Sequence, residues 1–430
     1  MRGFFLLISI TLLCAGTFAD HHSHDKGNDQ KDHDHKDHDH HHGKEDDDDH
    51  HHHSAEAMGC HKLSPFNSKF AFKLFKQVAA ENPSENIFFS PVSISTAFAM
   101  LSLGAKGATL SQILEGLNFN VSKISEEEIH TGFQHLLHML NDPHSELQLD
   151  SGNALFMDNN LKPLQKFLED VKTYYESEVF STDFQNSDTA TKLINGYVDK
   201  KTRGNIPEVL DSVNPNTILI LINYIYFKAK WLTPFEPKQT KDRDFHVDNE
   251  TVVTVPMMHK NGRFNVAYDK ELGCTVVEIP YQGNATAIFI LPDEGKLQHV
   301  EEVLDPSTVK SWKKLFHYQF IDLNIPKFSV SATLDLKAEL EKMGVTDLFS
   351  EKSDLSGILE STPLHVTKAI HKAVLNVHER GTEAAGVTVL EVMPYRAPPR
   401  IIFNHPFLLL ILENDMESIL FLGKILNPQK

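Results

Sequence analysis

Between Glu379 and Phe407 the chain reads ERGTEAAGVTVLEVMPYRAPPRIIFNHPF. Its first half has a strand's two-residue period. Thr382, Ala384, Gly386, Thr388, Leu390 and Val392 share one face, and Glu383, Ala385, Val387, Val389 and Glu391 the other. The first face is small and then aliphatic, shaped to slide between close-packed strands, with both acids on the opposite side. Pro394, Pro398 and Pro399 follow at once. Proline has no N–H for a sheet ladder, so the downstream half favours an extended, polyproline-like loop. The segment is built both to be a strand and to stay out of the sheet. On composition alone it is an edge strand running into a surface loop.

A chain of 430 residues holds one large domain or two ordinary ones. Residues 1–19 have the form of a secretory signal: Arg2 as the basic start, Phe4 to Leu13 as the apolar run, and small Thr17 and Ala19 before a cut. That run is too short to span a bilayer, and no later one reaches about 18 residues. The mature chain is therefore expected to be exported and soluble. Cys14 leaves with the signal. Cys60 and Cys274 are too few for a disulfide framework; Cys60, just ahead of the globular part, is expected to be a thiol open to mixed disulfides, and Cys274 to be partly buried. Asn120, Asn249 and Asn284 stand in glycosylation sequons, whereas Pro83 excludes Asn82.

Residues 20–62 form a tail expected to be disordered. Asp20 to His53 holds 12 acids, 4 lysines and 13 of the 26 histidines, with no aliphatic or aromatic residue to bury. His33, His35, His38, His40, His41 and His42, then His50, His51, His52 and His53, interleave with carboxylates as overlapping weak sites for zinc, copper or nickel. The same residues would serve equally as a solvating tail, or as a charge switch near pH 6.5. No cofactor is required. The net charge of −18 argues against nucleic acid or anionic membranes as partners.

From residue 63 to 430 one domain is expected. Phe66, Phe70, Leu74 and Val78 share a helix face after Ser64-Pro65. Ile87–Phe89 is a short strand, Ser90-Pro91 opens a helix, and Ser125 with Glu128 makes a capping box. ILILINYIYF, residues 218–227, reads as a fully buried strand. Helices come first and strands crowd the second half, an α+β arrangement. Enzyme motifs are missing: there is no GxSxG, HExxH, phosphate loop or GxGxxG. Ser307-x-x-Lys310 matches a serine–lysine pattern by letter only, in a helix-start context where capping accounts for the serine. No catalytic residue is assigned.

GTEAAG, the proline-flanked bait, FNHPF and FLGKILNP resemble the reactive loop and C-terminal signature of the serpins, and further matches from Ser64 to Lys430 are similar to their antitrypsin branch. The resemblance implies a serpin fold: about nine helices and three β-sheets, with a five-stranded central sheet and an exposed reactive loop at about 379–400. It also implies a monomeric inhibitor of serine proteases rather than an enzyme. A protease serine attacks the bait and forms an acyl-enzyme. The freed hinge then inserts into the central sheet, and the protease is deformed before it can deacylate. The implied hinge is Glu379, Gly381, Thr382, Glu383, Ala384, Ala385 and Gly386. Counting Glu379 as the first residue, the seventeenth is Tyr395, so the bond at risk is Tyr395–Arg396. An aromatic suits chymotrypsin-like pockets, while a trypsin-like protease would cut after Arg396. Ser90, Ser93, Asn223 and His371 correspond to the polar shutter beneath the sheet. Lys327 and Glu379 match the ion pair at the loop's entry, with Trp231 nearby, and simple core packing is the alternative for each. Asn120 and Asn284 fall where that branch carries glycans. The helix after Ser125 carries Glu126, Glu127 and Glu128 without lysine or arginine, so heparin dependence is not expected. The rival reading is a non-inhibitory carrier or metal-binding serpin.

Overall fold

The computed structural model describes residues 49–381 and 397–430, with side chains from residue 59 onward. Residues 1–48, with most of the His/Asp-rich stretch, and residues 382–396 lie outside them.

The first helix, Asp49–Glu81, begins well before the expected start at Ser64-Pro65 and carries Pro65 inside it. Packing accounts for the part of the extension from residue 59 onward. Its upstream part crosses the Glu126–Leu140 helix where two glycines meet; a Cβ on Gly132 would stand 2.9 Å from Leu63, and one on Gly59 only 3.7 Å from Gly132 Cα. Cys60 is consequently buried at 3% exposure, not offered to mixed disulfides. Its Sγ lies 2.6 Å from His135 Nδ1 and 3.4 Å from the Gly132 carbonyl. Cys274 is also buried, and neither thiol is in a disulfide.

Local signals elsewhere produce the elements they imply. Ser90 caps the Pro91–Ser102 helix by accepting from Ser93 N, and Ser125 and Glu128 form both halves of a capping box. Ser307 donates to Asp305 Oδ1 at 2.6 Å, and Asp305 itself caps the Pro306–Leu315 helix.

Among the described residues there are nine α-helices and fourteen strands, an α+β arrangement. The five-stranded sheet runs in the order Phe328–Asp335, Lys368–Val377, Leu219–Lys228, Gln148–Asp158, Glu178–Thr182. The remaining nine strands, expected as two sheets, form one hydrogen-bonded sheet, eight of them in a single path and Lys241–His246 branching from it. The 18-residue strand Val252–Asp269 joins them, pairing with Lys241–His246, with His317–Pro326 and with Cys274–Pro280 along successive parts of its length.

Both faces of the five-stranded sheet are covered. Leu219, Leu221, Ile225 and Phe227 face the main core, and Ile220, Ile222, Tyr224 and Tyr226 face a second core with the Ser187–Lys201 helix. Two apolar faces explain why that strand reads as an unbroken hydrophobic run. Asn223 falls in its middle.

Candidate functional site

The Lys368–Val377 strand leads straight into Glu379–Gly381, where the expected reactive loop begins, so its neighbours define the candidate site. It pairs antiparallel with Phe328–Asp335 on one side and parallel with Leu219–Lys228 on the other. In the parallel seam His371 lies opposite Asn223, and one strand further Asn223 lies opposite Asn153. All three alternate onto the face that carries the Pro91–Ser102 helix.

That register assembles a buried polar cluster from residues far apart in sequence. His371 Nε2 accepts from Ser90 N at 3.0 Å, and its Nδ1 meets Asn223 Oδ1. The ring is thus a neutral imidazole protonated on Nδ1, and complete burial pushes its pKa down to about 3. Asn223 Nδ2 donates to Ser93 Oγ at 2.7 Å and to Asn153 Oδ1 at 2.6 Å. The structure therefore brings together Ser90, Ser93, Asn223 and His371 and adds Asn153, which sequence reading missed. Its one signal is an asparagine at the edge of an apolar run.

Above the cluster the hinge is gripped by backbone. Trp231 N donates to Arg380 O at 3.1 Å and Phe235 N to Glu379 O at 2.7 Å. Gly381 has φ +99°, and a Cβ there would lie 2.3 Å from Ala229 O and 2.5 Å from Trp231 N. Only glycine fits. Trp231 stacks on Tyr281 at 4.3 Å and donates its indole N–H to His378 O at 2.8 Å. Glu379 is 7% exposed and lies 3.1 Å from Lys327 Nζ, with Thr240 Oγ1 donating to it at 2.8 Å. Burial alone would raise its pKa; its backbone N–H, Thr240 and Lys327 together hold it below the ordinary value. Glu379 and Lys327 thus pair directly, and Trp231 holds the residues on either side of Glu379, with Thr240 and Tyr281 as partners no sequence pattern announced. The other hinge residues, Thr382, Glu383, Ala384, Ala385 and Gly386, and the bond Tyr395–Arg396 lie outside the described residues.

The sequence from residue 65 to 428 matches the family described as serpin (serine protease inhibitor). The chain belongs to the serpin family. It is 51% identical to an alpha-1-antiproteinase of Callosciurus caniceps over 373 residues, covering 87% of this chain and 90% of the relative. It is 48% identical to the alpha-1-antitrypsin of Sus scrofa over 369 residues, 86% and 88% of the two chains. Among solved structures, human thyroxine-binding globulin with bound thyroxine superposes with a TM-score of 0.83 at 47% identity, over 86% of this serpin and 100% of that chain. Human glycosylated kallistatin does so with a TM-score of 0.82 at 43% identity, over 87% and 99%.

In this serpin Asn120, Asn249 and Asn284 are all exposed. Asn120 Oδ1 accepts from Ser122 N and Oγ at 3.0 and 2.6 Å, and Asn284 Nδ2 is bonded to Asp415. Among the described residues no cluster of three or more His, Cys, Asp or Glu could hold a metal, and no helix is long and apolar enough to cross a membrane. His33, His35, His38, His40, His41 and His42 lie outside the described residues, as do the side chains of His50, His51, His52 and His53.

Proposed function

We propose that this serpin is a secreted, glycosylated, monomeric inhibitor that traps chymotrypsin-like serine proteases as a suicide substrate, with Tyr395 presented to the protease. The parallel seam between Lys368–Val377 and Leu219–Lys228 carries the reading. A segment that follows the first of these strands and doubles back runs antiparallel to both. It would pair on each edge and convert a slanted parallel ladder into two antiparallel ones. Residues 382–392 have the length and alternation for that strand, and their small-then-aliphatic face suits a packed sheet. Ser90, Ser93, Asn223 and His371 act as the shutter, since the new strand has to part His371 from Asn223. Glu379, Lys327 and Trp231 hold the point of entry.

Incubation with chymotrypsin should give a complex that survives boiling in detergent, with a released C-terminal fragment beginning at Arg396. Cleaved chain beside fully active protease would refute inhibition. Likeness to a thyroxine-bound neighbour favours a second reading, a carrier. Against it stand the hinge residues, which include no proline and no bulky side chain from Thr382 to Gly386.

A further inference from the structure

The chain beyond the bait is fixed as firmly as the chain before it. Arg400–Ile402 runs parallel beside His317–Pro326 with Arg400 opposite Asp322, and Asp322 N donates to Pro399 O at 2.9 Å. Three residues of edge strand do little to hold themselves in place. The Asp322 side chain supplies the missing definition. It is 8% exposed, and its carboxylate is shared three ways. Oδ2 accepts from Arg400 Nε at 2.7 Å, Oδ1 accepts from Asn324 Nδ2 at 2.8 Å, and Oδ1 lies 2.9 Å from His259 Nε2. A carboxylate is costly to bury unless it is paired this fully, and such pairing fixes register more than it adds stability.

The contacts continue toward the other end of the bait. His259 Nδ1 lies 2.8 Å from Gln239 Oε1, at the end of the short turn Pro237–Gln239. The next residue, Thr240, donates to Glu379. One turn therefore stands between the two feet of the bait. It reaches Arg400 through His259 and Asp322, and Glu379 directly through Thr240.

We infer that Asp322 is a positioning residue for the bait. By clasping Arg400 while braced through His259 and Gln239, it holds the loop's C-terminal foot in register with the Glu379 foot and so selects which bond a protease meets. Between Gly381 and Arg400 lie eighteen residues, Thr382 to Pro399. With both ends fixed, a slip of one residue at the Arg400 foot is enough to replace Tyr395–Arg396 by Arg396–Ala397. This rests on the inhibitory reading of the same loop.

The test compares full-length wild type with Asp322→Asn, Arg400→Gln and the double variant, against chymotrypsin and trypsin. It reads the second-order rate of complex formation and the mass of the released C-terminal fragment. Each single change should slow chymotrypsin capture about fivefold, as expected for loss of a partly exposed ion pair. Each should also raise the share of trypsin-cut fragments beginning at Ala397. The double variant should go no further than either single one, because both break the same clasp. Arg400→Gln guards against misfolding, since that side chain is 61% exposed. An unchanged fragment distribution in both single variants overturns the inference. So does a slower rate for Arg400→Gln with none for Asp322→Asn, which would put Arg400 in direct contact with the protease. If wild type forms no covalent complex, the inhibitory reading is what fails; fragment masses need only cleavage and still decide the positioning.

Discussion

Asn223→Ala tests the polar cluster most directly, because this one amide serves three partners. Its removal strips the His371 Nδ1–H of its acceptor and leaves Ser93 Oγ and Asn153 Oδ1 without the amide that donates to them. All three residues are buried, at 0%, 9% and 5% exposure. An unsatisfied buried polar group costs about 1–3 kcal/mol, so the combined loss is about 3–9 kcal/mol. Against total stabilities of about 5–15 kcal/mol that is a large fraction. Unfolding entropy grows with chain length, and for a folded body of this size each kcal/mol lowers Tm by about 1–1.5 °C. The expected fall is therefore about 3–13 °C by differential scanning fluorimetry. The His371–Asn223 contact also spans the parallel seam, so heating at moderate temperature should bring oligomers on size exclusion earlier than in wild type. A melting temperature within 2 °C of wild type would mean that water or relaxation satisfies these groups. The cluster would then not be what holds the seam shut.

Two further changes probe the hinge and the shutter. Gly381→Ala places a Cβ inside van der Waals contact of Ala229 O and Trp231 N at a φ that costs an L-residue about 1–3 kcal/mol; native Tm should fall and hinge cleavage by a non-target protease should accelerate, and unchanged proteolysis would show that the turn relaxes freely. The second concerns pH. His371 has its folded pKa depressed to about 3 against 6.5 in the unfolded chain, so the unfolded state binds the extra proton between those values. Stability is full above pH 6.5 and should be lost as pH falls toward 3, by about 1.4 kcal/mol per unit. His130, lowered by burial to about 4, adds to the same trend with its own window. Urea titrations from pH 6 to 4 should show a slope about one proton shallower for His371→Gln; an identical slope would remove His371 from the linkage.

Local patterns were legible wherever chemistry and geometry sit within a few residues. The Ser125–Glu128 capping box, the Ser90 cap and the buried strand around Asn223 all follow from short-range rules, while the hinge glycine Gly381 comes from the family resemblance. Partners that depend on strand register were not. Asn153 joins the cluster only because Gln148–Asp158 and Leu219–Lys228 pair so as to set it opposite Asn223, 70 residues away. Thr240 meets Glu379 and Tyr281 meets Trp231 in the same long-range way, with several strands of chain between the partners. The first helix was misjudged for the same reason. Ser64-Pro65 carries a good local start signal, while the evidence for an earlier start is a glycine-to-glycine crossing with a helix 73 residues further on.

The burial of Cys60 and Cys274 has a practical consequence. Cys274 is held almost wholly in its unreactive protonated form, with its pKa pushed up to about 12 by burial, and Cys60 is packed under a helix crossing. Alkylating reagents should therefore label neither until the body opens. With one thiol on the first helix, where it meets Glu126–Leu140, and the other at the start of Cys274–Pro280, the order in which they label would date the loosening of two separate regions. The molecule thus carries its own pair of chemical clocks, without any engineered probe.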